Sequence, residues 1–227
     1  FEIAALADLS PSLRATLGDR YGVAPDARVG SVEALLDLPG LDAVVLLTTG
    51  SHGPASLAAL DRGLAVLSEK PLATTVAEAD RLAASPAAER LLLGYMKAYD
   101  PAVREARRIA DAEAATLGEL RAIDVTVLHP TSEAQLAFAR LLPPAGDAEP
   151  ATLAGLRAAE DERVAAAIGS AAAAVIGRLY AGILLGSVVH ELSVIRAVTG
   201  ETGALTVDHV DVWPDGAWPP SVAIAGR

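Results

Sequence analysis

The sequence predicts an α/β chain: a doubly wound parallel sheet, followed by an α+β part with an open, mainly antiparallel sheet. Three observations carry this. Across residues 1–95, apolar strand-like runs alternate with helix-like segments through short links, the pattern of parallel strands joined by crossover helices. The run 41–48 (LDAVVLLT) is continuously apolar, as expected of a parallel strand covered on both faces. After Asp100-Pro101 the rhythm breaks, and residues 204–213 alternate apolar with polar as an antiparallel strand does.

The elements follow in order. Residues 1–7 (FEIAALA) read as a buried strand ending at Asp8. Ser10-Pro11 opens a helix over 10–21 with an N-cap and a first-turn proline, and Gly22 ends it. Ser31 caps a shorter helix to about 38. After the strand 41–48, a helix over 54–62 stops at Gly63. A strand over 64–68, a helix over 75–84 and a strand over 91–95 complete the first part. Beyond it we expect a helix over 101–115 and a longer strand over 119–128. Helical sequence of low complexity then fills 131–180, broken at Leu142-Pro143-Pro144 and at Glu149-Pro150. A helix over 180–198 ending at Gly200 precedes strands over 204–213 and 221–225.

Composition narrows the function classes. The 227 residues carry a formal net charge of −11, which repels nucleic acid and anionic lipid, so neither is an expected partner. There is no cysteine, hence no disulfide, thiolate metal site or cysteine nucleophile; no metal is expected. The most apolar stretch, 164–177, is bounded by Arg163 and Arg178 and is too short to span a bilayer. The opening Phe1-Glu2-Ile3 has no basic segment of the signal-peptide kind, and a cytoplasmic location is expected.

In an open parallel sheet, ligands bind outside the carboxyl ends of the strands. Those ends hold Asp8, Thr48-Thr49-Gly50, Glu69-Lys70-Pro71 and Tyr95-Met96-Lys97. A carboxylate closing the second strand of a Rossmann-type unit accepts hydrogen bonds from the adenosine ribose hydroxyls, and Asp8 sits where that group is required. No arginine follows in Leu9-Ser10-Pro11, which favours NAD while leaving NADP possible. Lys70 ends an apolar strand just before a proline. An ammonium there can hold a substrate hydroxyl beside the carbon that exchanges hydride; a surface lysine after a strand is the alternative reading. Lys97 is a candidate substrate contact at the next strand end. On the helix 180–198, Gly186, His190 and Ser193 are spaced i, i+4, i+7 and share a face. His190 is thereby a candidate catalytic or substrate-binding group, with a structural histidine the alternative. His52, at the start of a helix, and His129 and His209 are weaker candidates.

Taken in order, these residues resemble a known family. Thr48-Thr49-Gly50-Ser51-His52, then Ala58 to Gly63, then Val66-Leu67-Ser68-Glu69-Lys70-Pro71-Leu72-Ala73 are similar to motifs of the glucose–fructose oxidoreductase/inositol dehydrogenase (Gfo/Idh/MocA) family. Gly94 to Val103, Leu117-Gly118-Glu119-Leu120, His190-Glu191-Leu192 and Gly200 continue the likeness. The resemblance implies a partial NAD(P)-binding Rossmann domain over 1–99 and a partial α+β substrate and oligomerisation domain over 100–227. It implies an NAD(P)-dependent oxidoreductase acting on a secondary hydroxyl of a sugar, cyclitol or related polyol, and a homo-oligomer in the full-length protein. By the same resemblance Thr48, Thr49, His52 and Pro71 line the cofactor path, Glu69 binds the nicotinamide ribose, Lys70 lies by the nicotinamide, and His190 is catalytic.

Two departures stand against this. The family often has aspartates four residues before and three after that histidine, where this chain has Gly186 and Ser193. A non-catalytic nicotinamide-binding or regulatory relative is therefore the second reading. The family also opens with a strand and a G-x-G-x-x-G turn that cradles the pyrophosphate, and no such turn occurs here. The expectation is an incomplete chain, lacking the central strand between 1–7 and 41–48 and the C-terminal end, with weak NAD binding of its own.

Overall fold

A computed structural model describes residues 1–118, 120–128, 132–139, 142, 145–171, 174–200, 206–213 and 220–227. The expectations that fall on Glu119, His129, Pro143, Pro144 and Ala204 lie outside these residues. The chain divides into two compact units: Phe1–Gly94 with Asp124–Gly177, and Tyr95–Ile123 with Arg178–Arg227.

In the first unit, β1 (Leu6–Ala7) pairs in parallel with β2 (Arg28–Val29). Between them α1 (Pro11–Tyr21) starts as its sequence dictates. The Ser10 side chain accepts from the Leu13 amide, Pro11 takes the first helical position, and Gly22 closes the helix in the left-handed conformation at φ 69°. The expected seven-residue buried strand is thus two residues long, with residues 1–4 exposed. An apolar run becomes a buried strand only where something pairs with and covers it. The two-residue β2 was not expected, being too short to show a period.

A second parallel sheet has the order β3-β4-β5, from β3 (Ala43–Leu46), β4 (Ala65–Ser68) and β5 (Leu91–Leu93). Val44 lies opposite Val66, and Val66 opposite Leu91. No ladder joins β1 to β3 among the described residues. The connecting helices α2 (Val32–Leu36), α3 (Gly53–Asp61) and α4 (Val76–Ala83) pack Leu36, Ala59, Leu60 and Leu82 against Val44, Leu46 and Val66, and this cluster is the core. Thr75 and Glu78 form a reciprocal capping box at the start of α4.

Cover on both faces, expected from the apolar run, is not found among the described residues. Val44 and Leu46 are 5% and 2% exposed, whereas their neighbours Val45 and Leu47 are 54% and 71% exposed. Successive strand side chains point to opposite faces, and α2, α3 and α4 pack on only one of them. This unit also contains α8 (Pro150–Ile168), whose first turn Glu149 caps by accepting from the Ala151 and Thr152 amides. The helix α7 (Ser132–Ala139) precedes it.

In the second unit, α5 (Pro101–Ala112) and α6 (Ala114–Leu117) replace the single helix expected over 101–115. Residues 120–128, divided between the two units at Asp124, form no strand, against expectation; Ile123, Val125 and Val127 keep the alternation but stay exposed, with no partner strand among the described residues to register them. The helix expected over 180–198 is continuous but not uniform. It runs from α9 (Ala174–Arg178) through a π-helical stretch, Leu179–Val188, into α10 (Val189–Thr199). Gly200 stops it at φ 83°, where an added Cβ would also meet Arg107 at 2.8 Å. The run Ala174–Thr199 is long and apolar enough, by length and composition, to cross a membrane, longer than the stretch 164–177, which Gly169 divides. The antiparallel pair β6 (Val207–Trp213) and β7 (Ser221–Gly226) matches the alternating pattern.

Candidate functional site

In the first unit the strand ends gather as the parallel topology requires. The loop after β3 carries Thr48 and Thr49, both exposed, then Gly50, Ser51 and His52. The loop after β4 carries Glu69, Lys70 and Pro71, with a cis Lys70–Pro71 bond. Glu69 continues the ladder by donating its amide to the Leu46 carbonyl at 2.9 Å. Its carboxylate accepts from the Lys70 amide at 3.2 Å. Gly94, after β5, donates to the Ser68 carbonyl at 2.7 Å; a Cβ there would come within 3.2 Å of that oxygen and 3.4 Å of the Glu69 carboxylate.

His52 ties the two loops together. It is fully buried, with Nδ1 at 2.7 Å from the Pro71 carbonyl and Nε2 at 2.8 Å from the Thr48 carbonyl. Its ring lies beneath the loops, so it acts through Thr48 and Pro71. Lys70 is half-buried, and its ammonium forms no ion pair or hydrogen bond among the described residues.

Asp8 is committed partly to its own turn, with Oδ1 accepting from the Ser10 amide at 2.8 Å. Its carbonyl accepts from Arg14 Nη1 at 2.6 Å. An arginine does therefore reach this strand end, one helical turn beyond Leu9-Ser10-Pro11; the helix start at Pro11 is the signal that points to it. Asp147 binds the same turn, accepting from the Ser10 hydroxyl and, at 2.9 Å, from the Ser12 amide. These hydrogen bonds, the Ser10 hydroxyl foremost, pull its carboxyl down to about 2.

A second set of residues missed in the sequence surrounds the same loops. Glu78 is 6% exposed, and its carboxylate accepts from the Ser51 hydroxyl (3.2 Å) and the Thr74 and Thr75 amides (2.9 and 3.1 Å). From α8, Arg163 Nε pairs with Glu78 at 3.1 Å. Glu160 accepts from the Ser51 amide (3.2 Å) and the Thr74 hydroxyl (2.7 Å). The Thr75-x-x-Glu78 capping box was legible in the sequence; Glu160 and Arg163 gave no local signal.

In the second unit, Tyr95 and His190 meet edge-to-face with ring centroids 6.4 Å apart. Burial pushes the Tyr95 hydroxyl up, and the Arg196 charge partly offsets this. Lys97 Nζ forms an ion pair with Glu191 at 2.6 Å. Ser193 donates its hydroxyl to the His190 carbonyl at 2.6 Å, so that group serves the helix backbone. Gly186 lies in the π-helical stretch and His190 in α10, so the uniform i, i+4 stacking expected of them is interrupted. Lys70 belongs to the first unit and His190 to the second. No group of three or more acidic or histidine side chains able to hold a metal occurs among the described residues.

The sequence profile of an oxidoreductase family (GFO_IDH_MocA) with an NAD-binding Rossmann fold matches residues 1–95. Over these residues the chain is similar to the Gfo/Idh/MocA family. Among curated relatives, the chain is similar to an inositol 2-dehydrogenase of Acidiphilium cryptum, 38% identical over 99 residues, covering 41% of this chain and 30% of the relative. It is also similar to D-xylose 1-dehydrogenase (NADP(+)) 2 of Haloferax volcanii, 37% identical over 118 residues, covering 49% and 35%. The chain thus spans about a third of the length of the curated relatives it matches. Among solved structures, an aldose-aldose oxidoreductase from Caulobacter crescentus complexed with glycerol aligns with TM-score 0.44 at 29% identity, covering 50% of this chain and 35% of that one.

The residues at these strand ends fit a nicotinamide cofactor at one end. The Lys70 ammonium, unpaired among the described residues, the exposed Thr48 and Thr49, and the close approach that Gly94 permits at Glu69 leave polar groups available at the strand ends. A pyrophosphate turn is not among the 227 residues.

Proposed function

We propose that this chain supplies the nicotinamide-proximal part of an NAD(P)-dependent oxidoreductase that exchanges hydride with a secondary hydroxyl of a sugar, cyclitol or related polyol. The observation that carries the reading is Lys70: a half-buried ammonium with no carboxylate partner among the described residues, at the carboxyl end of a central parallel strand and beside loops fixed by the buried His52. A bound nicotinamide supplies the hydride acceptor, the substrate carbinol carbon being oxidised as the cofactor is reduced. Lys70 Nζ orients the reacting oxygen by hydrogen bond and stabilises the negative charge that develops on it. His190 takes the hydroxyl proton on its imidazole. Glu69 orients the nicotinamide ribose, Thr48, Thr49 and Pro71 line the cofactor path, and Asp8 receives the adenosine ribose. Lys97, braced by Glu191, contacts the substrate. Arg14 beside Asp8 keeps NADP alongside NAD as a cofactor.

The cofactor role falls to residues 1–99 and the substrate and homo-oligomer roles to residues 100–227, in a cytoplasmic protein. The test is absorbance of reduced cofactor across a polyol and sugar panel with the intact protein. Lys70→Ala and His190→Ala each lower turnover by about 10²–10⁴-fold with NADH affinity retained. Turnover unchanged in both variants removes the mechanism. A second reading, a nicotinamide-binding relative without turnover, is favoured by Gly186 and by the Ser193 hydroxyl held on the His190 carbonyl; NADH binding with no turnover on any candidate supports it.

A further inference from the structure

We infer that Glu160 and Arg163 of α8, acting with Glu78, form a latch that sets the position of the two strand-end loops at which the cofactor is read. This rests on the cofactor reading above and adds to it a role for a segment that no sequence motif explains. The latch engages both loops at once. Glu160 takes the Ser51 amide from the loop after β3 and the Thr74 hydroxyl from the loop after β4. Glu78 takes the Ser51 hydroxyl from the first and the Thr74 and Thr75 amides from the second. Arg163 spans both carboxylates, Nε to Glu78 at 3.1 Å and Nη1 to Glu160 at 3.4 Å.

Three features separate this from an ordinary surface ion pair. Glu78 is buried, so its charge needs Arg163 and the backbone donors together. Gly50 leaves room for Glu160: it stands at φ 82°, and a Cβ added there would meet the Glu160 carboxylate at 3.1 Å. The same two loops are joined from below by the His52 ring, so their relative position is held at two levels. Among the described residues Glu160 and Arg163 form no hydrogen bond or ion pair with Lys70 or Glu69, and they are positioning residues. A displacement of about 1 Å at the reacting geometry costs on the order of 10²-fold, so loops held by two carboxylates and an arginine set cofactor affinity.

The experiment compares Glu160→Ala, Glu160→Gln and Arg163→Ala with Asp161→Ala, an exposed neighbour on the same helix, in the intact protein. Amide hydrogen exchange is followed in peptides covering 47–53 and 70–76, beside the dissociation constant for NADH. The expected result is that Glu160→Ala and Arg163→Ala speed exchange in both loops together and weaken NADH binding about tenfold, a conservative fraction of the positional penalty. Glu160→Gln, which keeps an acceptor oxygen, recovers part of both effects, and Asp161→Ala changes neither. Unchanged exchange in both loops overturns the latch. Faster exchange with unchanged NADH affinity overturns its role in positioning the cofactor site. An intact protein that binds no NADH removes the cofactor reading instead, and the exchange pattern then decides the latch alone.

Discussion

The two faces of the β3-β4-β5 sheet share one composition and have opposite fates. Val44, Leu46 and Val66 lie under α2, α3 and α4 and form the core; Val45, Leu47, Leu67 and Leu92 project from the same strands and are exposed. The difference teaches that an apolar strand states what it could bury, whereas cover is decided by the elements that pack on it. The strand 41–48 reads as buried on both faces because nothing in its residues distinguishes Val44 from Val45.

The sharpest break of this contrast is a matched pair. Leu46→Ala removes a buried side chain and is expected to cost about 2–5 kcal/mol, whereas Leu47→Ala, one residue on, changes stability by less than about 0.5 kcal/mol. Denaturant titration of both variants checks this, and equal losses would show that the second face is covered in solution. Next in size is Gly50→Ala, in the loop after β3. It forces a side chain into the left-handed region and toward Glu160, with an expected loss of about 1–2 kcal/mol by the same titration. The smallest effect is at Asp147, an exposed tie on the α1 turn. Its carboxyl lies at about 2, below its ordinary value, so its contribution is present above pH 4 and is lost as pH falls through 2. Asp147→Asn should flatten the dependence of melting temperature on pH in that window and lower the melting temperature slightly at neutral pH, where the contribution is fully present.

Much of the first unit was legible because its signals are local. Ser10-Pro11 opens α1, His52 precedes α3, Thr75 caps α4, and Gly22 ends α1 as its backbone freedom allows. The strand ends therefore fell in the right order, and with them Asp8, Thr48, Glu69 and Lys70. What the sequence did not show depends on distance. Ser51 and Glu160 are 109 residues apart, and no period or cap links them. The alternation over 120–128 suggested a strand, but alternation becomes a strand only when a neighbour supplies hydrogen bonds. Lys97 and His190 were readable as candidates; the Lys97–Glu191 pair and the commitment of Ser193 to a backbone carbonyl required the helix to be seen.

The π-helical stretch Leu179–Val188 has a bearing on how this chain can change. A wide turn carries one residue more than an α-helical turn for the same run of axis, so a single deletion between 179 and 188 can be absorbed by narrowing the coil without breaking it. Every side chain upstream would then swing by roughly 100° about the helix axis relative to His190. The stretch is thus a place where a one-residue change of length alters which groups stand beside the histidine while the helix itself persists.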